Sequence, residues 1–127
     1  MRVLIVEDDL NTLDGLWELL SDEGYSVIGV SDATQALDVI KRERIDVVLC
    51  DYSLPDMKGD QLCEILKKQQ PELILFMITA YYDDKLERLL KEGTVKKIFK
   101  KPLILEDLFQ ALALSTQKRQ STNENDS

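Results

Sequence analysis

The chain predicts an α/β domain, a single doubly wound (βα)5 unit on a five-stranded parallel sheet. Three features lead there. Short apolar runs alternate with stretches whose apolar residues recur at helical spacing, five times along 127 residues. The runs are continuous rather than alternating, as in strands covered on both faces. Such a strand–helix alternation gives parallel strands joined by right-handed crossovers. Finally, four runs abut chemically loaded residues: Val3-Leu4-Ile5-Val6 before Glu7-Asp8-Asp9, Val47-Val48-Leu49-Cys50 before Asp51, residues 73–78 before Thr79, and Ile98-Phe99 before Lys100-Lys101-Pro102. In a parallel sheet these ends meet at one edge, where open α/β sheets bind ligands.

The elements follow in order. The first strand is Val3 to Val6. Leu13, Leu16, Trp17 and Leu20 give the next helix one apolar face, and Gly24 stops it after Glu23. Val27, Ile28 and Val30 form the second strand, and Asp32 N-caps a helix carrying Ala36, Leu37 and Ile40. Residues 46–50 are the third strand, and 51–59 a loop punctuated by Pro55 and Gly59. Leu62, Ile65 and Leu66 mark the third helix, closed off by Pro71. Residues 73–78 form the fourth strand, Leu86, Leu89 and Leu90 lie on a helix ending near Gly93, and 95–99 form the fifth strand. After Pro102, Leu105, Leu108, Phe109 and Leu112 mark the last helix. Residues 115–127 hold no hydrophobic side chain and many Ser, Gln and Asn, which predicts a disordered tail or the start of a linker after a domain at 1–114.

Composition excludes several classes of function. A net charge of −8 opposes nonspecific nucleic-acid binding. No apolar run is long enough to span a bilayer, and the strand-like run and acids directly after Arg2 are not the pattern of a secretory signal, so the expected location is cytoplasmic. With no histidine, His-dependent general-base chemistry and His-ligated zinc are excluded. Cys50 and Cys63 suggest neither a disulfide framework nor a metal site; Cys50 reads as a small buried hydrophobe. Lys96, Lys97, Lys100 and Lys101 cluster at the fifth strand, mostly as a solvated strand end.

The strand ends carry the chemistry. Carboxylates about 5 Å apart repel by roughly 3 kcal/mol at an effective dielectric near 20. Glu7, Asp8 and Asp51 together therefore call for a cation, and hard oxygen ligands with open positions suit Mg²⁺ shared with a phosphate. Asp9 is free to cap the following helix. A carboxylate beside Mg²⁺ can attack phosphorus and form an acyl phosphate. Thr79 can donate to a phosphoryl oxygen, and Lys101 can bind one as a point charge. Taken singly, Thr79 reads as a strand residue or cap and Lys101 as a surface lysine; the joint pattern carries the assignment.

That pattern resembles the receiver domain of two-component response regulators. The resemblance runs from residue 2 to about 114 through Val6-Glu7-Asp8-Asp9, Asp51-Tyr52-Ser53-Leu54-Pro55-Asp56-Met57-Lys58-Gly59, Met77-Ile78-Thr79-Ala80 and Lys101-Pro102-Leu103. Asp8, Asp51, Thr79 and Lys101 are separated by 43, 28 and 22 residues. The resemblance implies a CheY-like, flavodoxin-like strand order, 2-1-3-4-5, and a protein that is not an enzyme beyond its own phosphoryl transfer and dephosphorylation. Asp51 would be the phosphoacceptor, with Asp51, Thr79 and Lys101 as the reacting set. Glu7, Asp8, Asp51 and the Ser53 carbonyl would hold Mg²⁺, with Mn²⁺ as a substitute, and Glu7 would act through water. The Ser53 and Ala80 N–H groups would stand beside the phosphoryl oxygens.

The donor would be a phosphohistidine on a sensor histidine kinase or a histidine phosphotransfer protein. The output would be a downstream protein or a C-terminal output domain, with no nucleic acid or membrane bound by this domain. Thr79 and residue 98 would be the switch, repacking the helix 4–strand 5–helix 5 surface. Ile98 stands where the family usually has an aromatic, which predicts an aliphatic rotamer change or a reporter at Tyr81 or Tyr82. Ser53 and Tyr81 would gate hydrolytic water, for slow to intermediate self-dephosphorylation. Tyr81, Tyr82 and the Leu86/Leu89/Leu90 helix are the expected partner face. The alternative is a phosphorylation-independent receiver-like interaction domain. An aspartyl phosphatase would want an acid at Ser53, and an FMN carrier a Gly- and hydroxyl-rich loop where Glu7-Asp8-Asp9 stand.

Overall fold

Five strands, β1 (Arg2–Val6), β2 (Ser26–Val30), β3 (Val47–Asp51), β4 (Ile74–Thr79) and β5 (Lys97–Lys100), form one parallel sheet in the order β2-β1-β3-β4-β5. The computed structural model describes residues 1–126, and side chains through residue 117. The helices are α1 (Leu10–Asp22), α2 (Ala33–Arg42), α3 (Gly59–Gln69), α4 (Asp84–Glu92) and α5 (Leu105–Asp126). This is the predicted flavodoxin-like fold. The register aligns the carboxyl ends: Val6 lies beside Cys50, Asp51 beside Ile78, and Thr79 beside Lys100.

Alternation along each strand divides the core in two. Leu4, Val6, Val48, Cys50, Leu75 and Met77 face α2, α3 and α4, against Ala36, Ile40, Leu62, Leu66, Leu86 and Leu89. Val3, Ile5, Leu49, Phe76, Ile78 and Phe99 face α1 and α5, against Leu13, Leu16, Leu20, Leu108 and Leu112. Leu86 and Leu89 are buried in the first cluster rather than offered to a partner, which corrects the expected docking face. Burial of each is worth about 1.5–3 kcal/mol, so the fold claims them first. What α4 leaves exposed nearby is Tyr81 and Tyr82.

Local signals set the helix ends. Asp9 accepts from the Asn11 and Thr12 N–H groups, Asp32 from Gln35 and Asp83 from Leu86. Gly93, at φ +79, closes α4 in the left-handed conformation that favours glycine. Trp17 is 48% exposed rather than core; its indole donates to the Val27 carbonyl at 3.2 Å, so the ring lies along the edge strand β2. The other edge strand, β5, carries Lys97 and Lys100, charges that discourage pairing with another chain.

α5 differs most from expectation. It continues through residues 115–126, where composition predicted a disordered tail or linker; the expectation for Ser127 lies outside the described residues. Ser115 is buried and donates to the Ala111 carbonyl at 3.0 Å, and Thr116 donates to Leu112 at 3.0 Å. These hydroxyls stay within the helix by bonding back one turn.

Gly59 holds the third helix against the end of β3. A Cβ there would lie 2.6 Å from the Asp51 carbonyl oxygen and 2.7 Å from Tyr52 Cα, both backbone atoms that cannot swing aside. Gly59→Ala is expected to destabilise the domain by about 1–3 kcal/mol, measured by urea denaturation, whereas the same change at exposed Gly15, where a Cβ meets nothing within 4 Å, is expected to be neutral or stabilising.

Candidate functional site

Glu7, Asp51 and Lys101 converge at the carboxyl edge of the sheet. Glu7 follows β1 directly; its N–H bonds the Val30 carbonyl at 3.0 Å, and its carboxylate accepts the Asp9 N–H at 3.2 Å. Asp51 is the last residue of β3 and is 3% exposed. Its Oδ1 accepts the Ser53 N–H at 2.8 Å, and its Oδ2 receives the Lys101 ammonium at 2.7 Å. Lys101 is aimed by the sheet, since its N–H extends the β4–β5 ladder to the Thr79 carbonyl at 2.8 Å. The Lys101–Pro102 peptide is cis.

Burial pushes the Glu7 carboxyl up to about 7, and a proton shared with Asp51 and the Asp51 charge push the same way, against the Asp9 N–H and Lys101. The Lys101 ammonium is held above its ordinary value by its bond to Asp51. The site is thus short of positive charge: one lysine faces two buried carboxyls, and the second keeps a proton near neutral pH. A divalent cation fits that deficit. Asp8 is exposed at the rim, and among the described residues no three acidic or thiol side chains form a ready-made metal cage. The donors that fit are therefore Glu7 and Asp51, with Asp8 within the same loop and backbone or water oxygens completing the set.

The other predicted residues divide. Thr79 is 1% exposed at the end of β4, but its hydroxyl is committed elsewhere: it donates to the Tyr81 carbonyl at 2.8 Å and accepts the Tyr81 N–H at 3.1 Å. Ser53 is exposed, with its N–H on Asp51. Tyr81 is 78% exposed. Ile98 is half-buried beside Met77 on the α4 face, whereas Phe99 points to the opposite face and meets Phe76 edge-on at 5.7 Å. Period-two alternation thus keeps Phe99 from serving as the aromatic missing at 98.

Comparison with known proteins agrees with this geometry. The response regulator receiver domain family matches residues 3–113. The chain belongs to that family. As a receiver domain it is a module of two-component phosphorelay systems. It is 29% identical over 111 residues to sporulation initiation phosphotransferase F of Bacillus subtilis, covering 87% of this chain and 90% of that protein. It is 34% identical over 106 residues to a cyclic di-GMP phosphodiesterase of Thermotoga maritima, covering 84% of this chain but only 28% of the relative. A CheY-like receiver from Methanospirillum hungatei superposes with a TM-score of 0.88 at 29% identity, covering 95% and 97% of the two chains. The chain spans 12 to 28% of the length of several curated relatives, including the sensor protein TorS of Escherichia coli.

Two acidic residues of this receiver domain escaped the sequence. Asp56, in the β3–α3 loop, accepts the Ala33 N–H at 2.9 Å, the Thr34 N–H at 2.9 Å and the Thr34 hydroxyl at 2.7 Å. It caps α2 from outside, tying the loop after Asp51 to another helix, and the Thr34 hydroxyl and these N–H groups hold its carboxyl below the ordinary value. Asp60 is buried at the start of α3 and pairs with Lys85. No spacing in the sequence signals either, because both partners are distant in the chain.

Two pH dependences follow, of opposite sign. The Glu7 carboxyl is raised in the fold, so its contribution is fully present below its unfolded value of 4.5 and is lost as pH rises through about 7. In metal-free buffer the midpoint of thermal denaturation is expected to fall across that window in the parent and to fall less in Glu7→Gln. The Asp56 carboxyl is depressed, so its contribution is present above 3.8 and lost as pH falls through its folded value. Asp56→Ala is expected to cost about 1 kcal/mol at neutral pH, a difference from the parent that shrinks in acid denaturation below pH 4.

Proposed function

We propose that this receiver domain is a phosphorylation-controlled signalling module whose phosphoacceptor is Asp51. The carrying observation is the Asp51 carboxylate: buried, held by the Ser53 N–H on one oxygen and by Lys101 at 2.7 Å on the other, beside a Glu7 carboxyl that burial and Asp51 hold well above its ordinary value. Such an oxygen is oriented for attack and placed where a phosphoryl group's charge has a partner.

An Asp51 oxygen attacks the phosphorus of a phosphohistidine. The P–N bond breaks, its electron pair returns to the imidazole, which takes a proton, and an acyl phosphate remains on Asp51. Lys101 then moves from carboxylate to phosphoryl oxygen without leaving the pocket. Glu7, Asp8, Asp51 and the Ser53 carbonyl would hold Mg²⁺, or Mn²⁺ in its place. When bound, the cation supplies the positive charge that lets these acids and the incoming phosphate coexist. A receiver of Thermotoga maritima with the same fold, TrrA, is known in complex with Mg²⁺ and BeF, which supports this chemistry by fold alone.

The donor would be a sensor histidine kinase or a histidine phosphotransfer protein, acting where the receiver is not itself an enzyme for another substrate. A groove of about 440 Å³ opens beside Glu7 and Lys101, lined by Asn11, Gly15 and Leu103. Exposed Leu19 lines it too, an apolar element suited to the donor.

The switch would be Thr79 leaving the Tyr81 carbonyl for a phosphoryl oxygen, with Ile98 changing rotamer in the space this opens beside β4. The α4–β5–α5 surface would pass the change to a downstream protein or to a C-terminal output domain, in cytoplasm. Tyr81, exposed at the loop, and Ser53 would limit water's approach. Ile98 in place of an aromatic favours one alternative, an interaction domain that works without phosphorylation.

Incubation with Mg²⁺ and acetyl phosphate, followed by intact mass, is expected to show one phosphoryl adduct, absent in Asp51→Asn or with chelator. Lys101→Ala is expected to slow its formation roughly a hundredfold, and Tyr81→Ala to shorten its lifetime. Failure of adduct formation with both acetyl phosphate and beryllofluoride in folded protein would favour the phosphorylation-independent alternative.

A further inference from the structure

Three carboxylates are buried among the described residues: Glu7, Asp51 and Asp60. Two belong to the site. The third, in the first turn of α3, faces α4. Lys85 Nζ lies 2.6 Å from its Oδ2, and among the described residues no other group satisfies either Asp60 oxygen. A buried carboxylate held by one half-exposed lysine stabilises a fold poorly; an apolar residue in its place serves packing as well or better. The helix N-terminus offsets part of the penalty. What the pair adds is orientation of α4 against α3.

Both ends of the pair lead to the phosphorylation site. Asp60 follows Gly59, whose Cα is pressed onto the Asp51 carbonyl, with room for no Cβ. Lys85 is the second residue of α4, reached from Thr79 through residues 80–83. Two sets of bonds lie along that connection: the Thr79 hydroxyl donates to the Tyr81 carbonyl at 2.8 Å and accepts the Tyr81 N–H at 3.1 Å, and Asp83 accepts the Leu86 N–H at 3.0 Å at the start of α4. The Thr79 hydroxyl cannot donate to a phosphoryl oxygen without releasing the Tyr81 carbonyl, which alters the hold on the Tyr81 backbone. A shift passed from that release to the first turn of α4 would change its position against α3, and Asp60–Lys85 joins the two helices there.

We infer that the Asp60–Lys85 ion pair is a latch on the switch: it holds the first turn of α4 to α3 and so favours the arrangement in which Thr79 is spent on Tyr81. Asp60 and Lys85 are then positioning residues for the phosphoryl-bound state. The inference rests on Asp51 being the phosphoacceptor. By linkage, whatever the pair contributes to the latched state alone is subtracted from the affinity for a phosphoryl group.

The test uses the full chain, the parent and Lys85→Met, Asp60→Asn, the double variant, and Lys91→Met. The last removes an exposed pair with Glu87 on the same helix, at 3.6 Å, and controls for charge. Two quantities are read: affinity for beryllofluoride with Mg²⁺, and amide hydrogen exchange of Tyr81 without ligand, since that amide donates to Thr79. Lys85→Met and Asp60→Asn are each expected to tighten beryllofluoride about fivefold and to speed Tyr81 exchange. The double variant is expected to match the singles, and Lys91→Met the parent. Asp60→Asn leaves no buried charge behind, so it decides the matter if Lys85→Met folds poorly. Unchanged affinity and exchange, with only thermal stability altered, would overturn the latch. If the folded parent binds no beryllofluoride, the assignment of Asp51 fails separately; faster Tyr81 exchange in the variants would still support the latch, and unchanged exchange would end it.

Discussion

Crowding of carboxyl groups at the ends of β1 and β3 is the constraint around which this molecule is arranged. Glu7 and Asp51 are both almost completely buried, and one lysine serves them. Mutual repulsion at such separations is a few kcal/mol in a protein-like dielectric. The fold answers in three ways: Lys101 is carried to Asp51 by the last ladder bond of the sheet, the Ser53 N–H takes the other oxygen, and the Glu7 carboxyl keeps its proton to near pH 7. A site so short of positive charge is primed for a cation and, with it, a phosphate. The chemistry proposed for Asp51 is a direct use of that deficit.

The surrounding structure serves to keep the deficit in place. Gly59 lets α3 press onto the Asp51 backbone, and Asp56 ties the loop after Asp51 to the N-terminus of α2. On the other side the Thr79 hydroxyl is bonded within its own loop, away from Asp51. The two halves are joined across α3 and α4 by Asp60 and Lys85. A change of charge at Asp51 therefore meets a rigid support behind it and a hydrogen bond that can be exchanged beside it. That asymmetry is what a two-state element requires.

The family resemblance reaches this chain through a handful of residues, and the departures from it are physical as well. Ile98 occupies the usual aromatic position on the α4 face, and its neighbour Phe99 is committed to the opposite core with Phe76. The loop after β4 carries its own bulky group, Tyr81, which is exposed. The relatives whose length this chain spans only in part couple such a domain to other segments; the phosphotransferase of Bacillus subtilis, spanned over 90% of its length, shows the fold serving as nearly a whole protein.

Fold and site chemistry were legible in the linear chain to different depths. Continuous apolar runs and helical periodicity marked every strand and helix, and the residues ending those runs named Glu7, Asp8, Asp51, Thr79 and Lys101, because burial on both faces and strand termination are local properties of sequence. Local composition failed where contacts are distant. Leu86 and Leu89 looked available and are core; Trp17 looked like core and lies half-exposed along β2. Nothing local marks the roles of Asp56 and Asp60, and only packing brings them to α2 and to Lys85. The polar stretch after Leu114 continues as helix, its first residues tied back by the Ser115 and Thr116 hydroxyls, which polarity alone does not reveal. The sequence by itself determined which groups stand at the carboxyl edge. Tertiary structure alone decided how they are charged, which hydroxyl is already engaged, and which helices are joined by an ion pair, since each depends on distances between residues that the chain order leaves far apart.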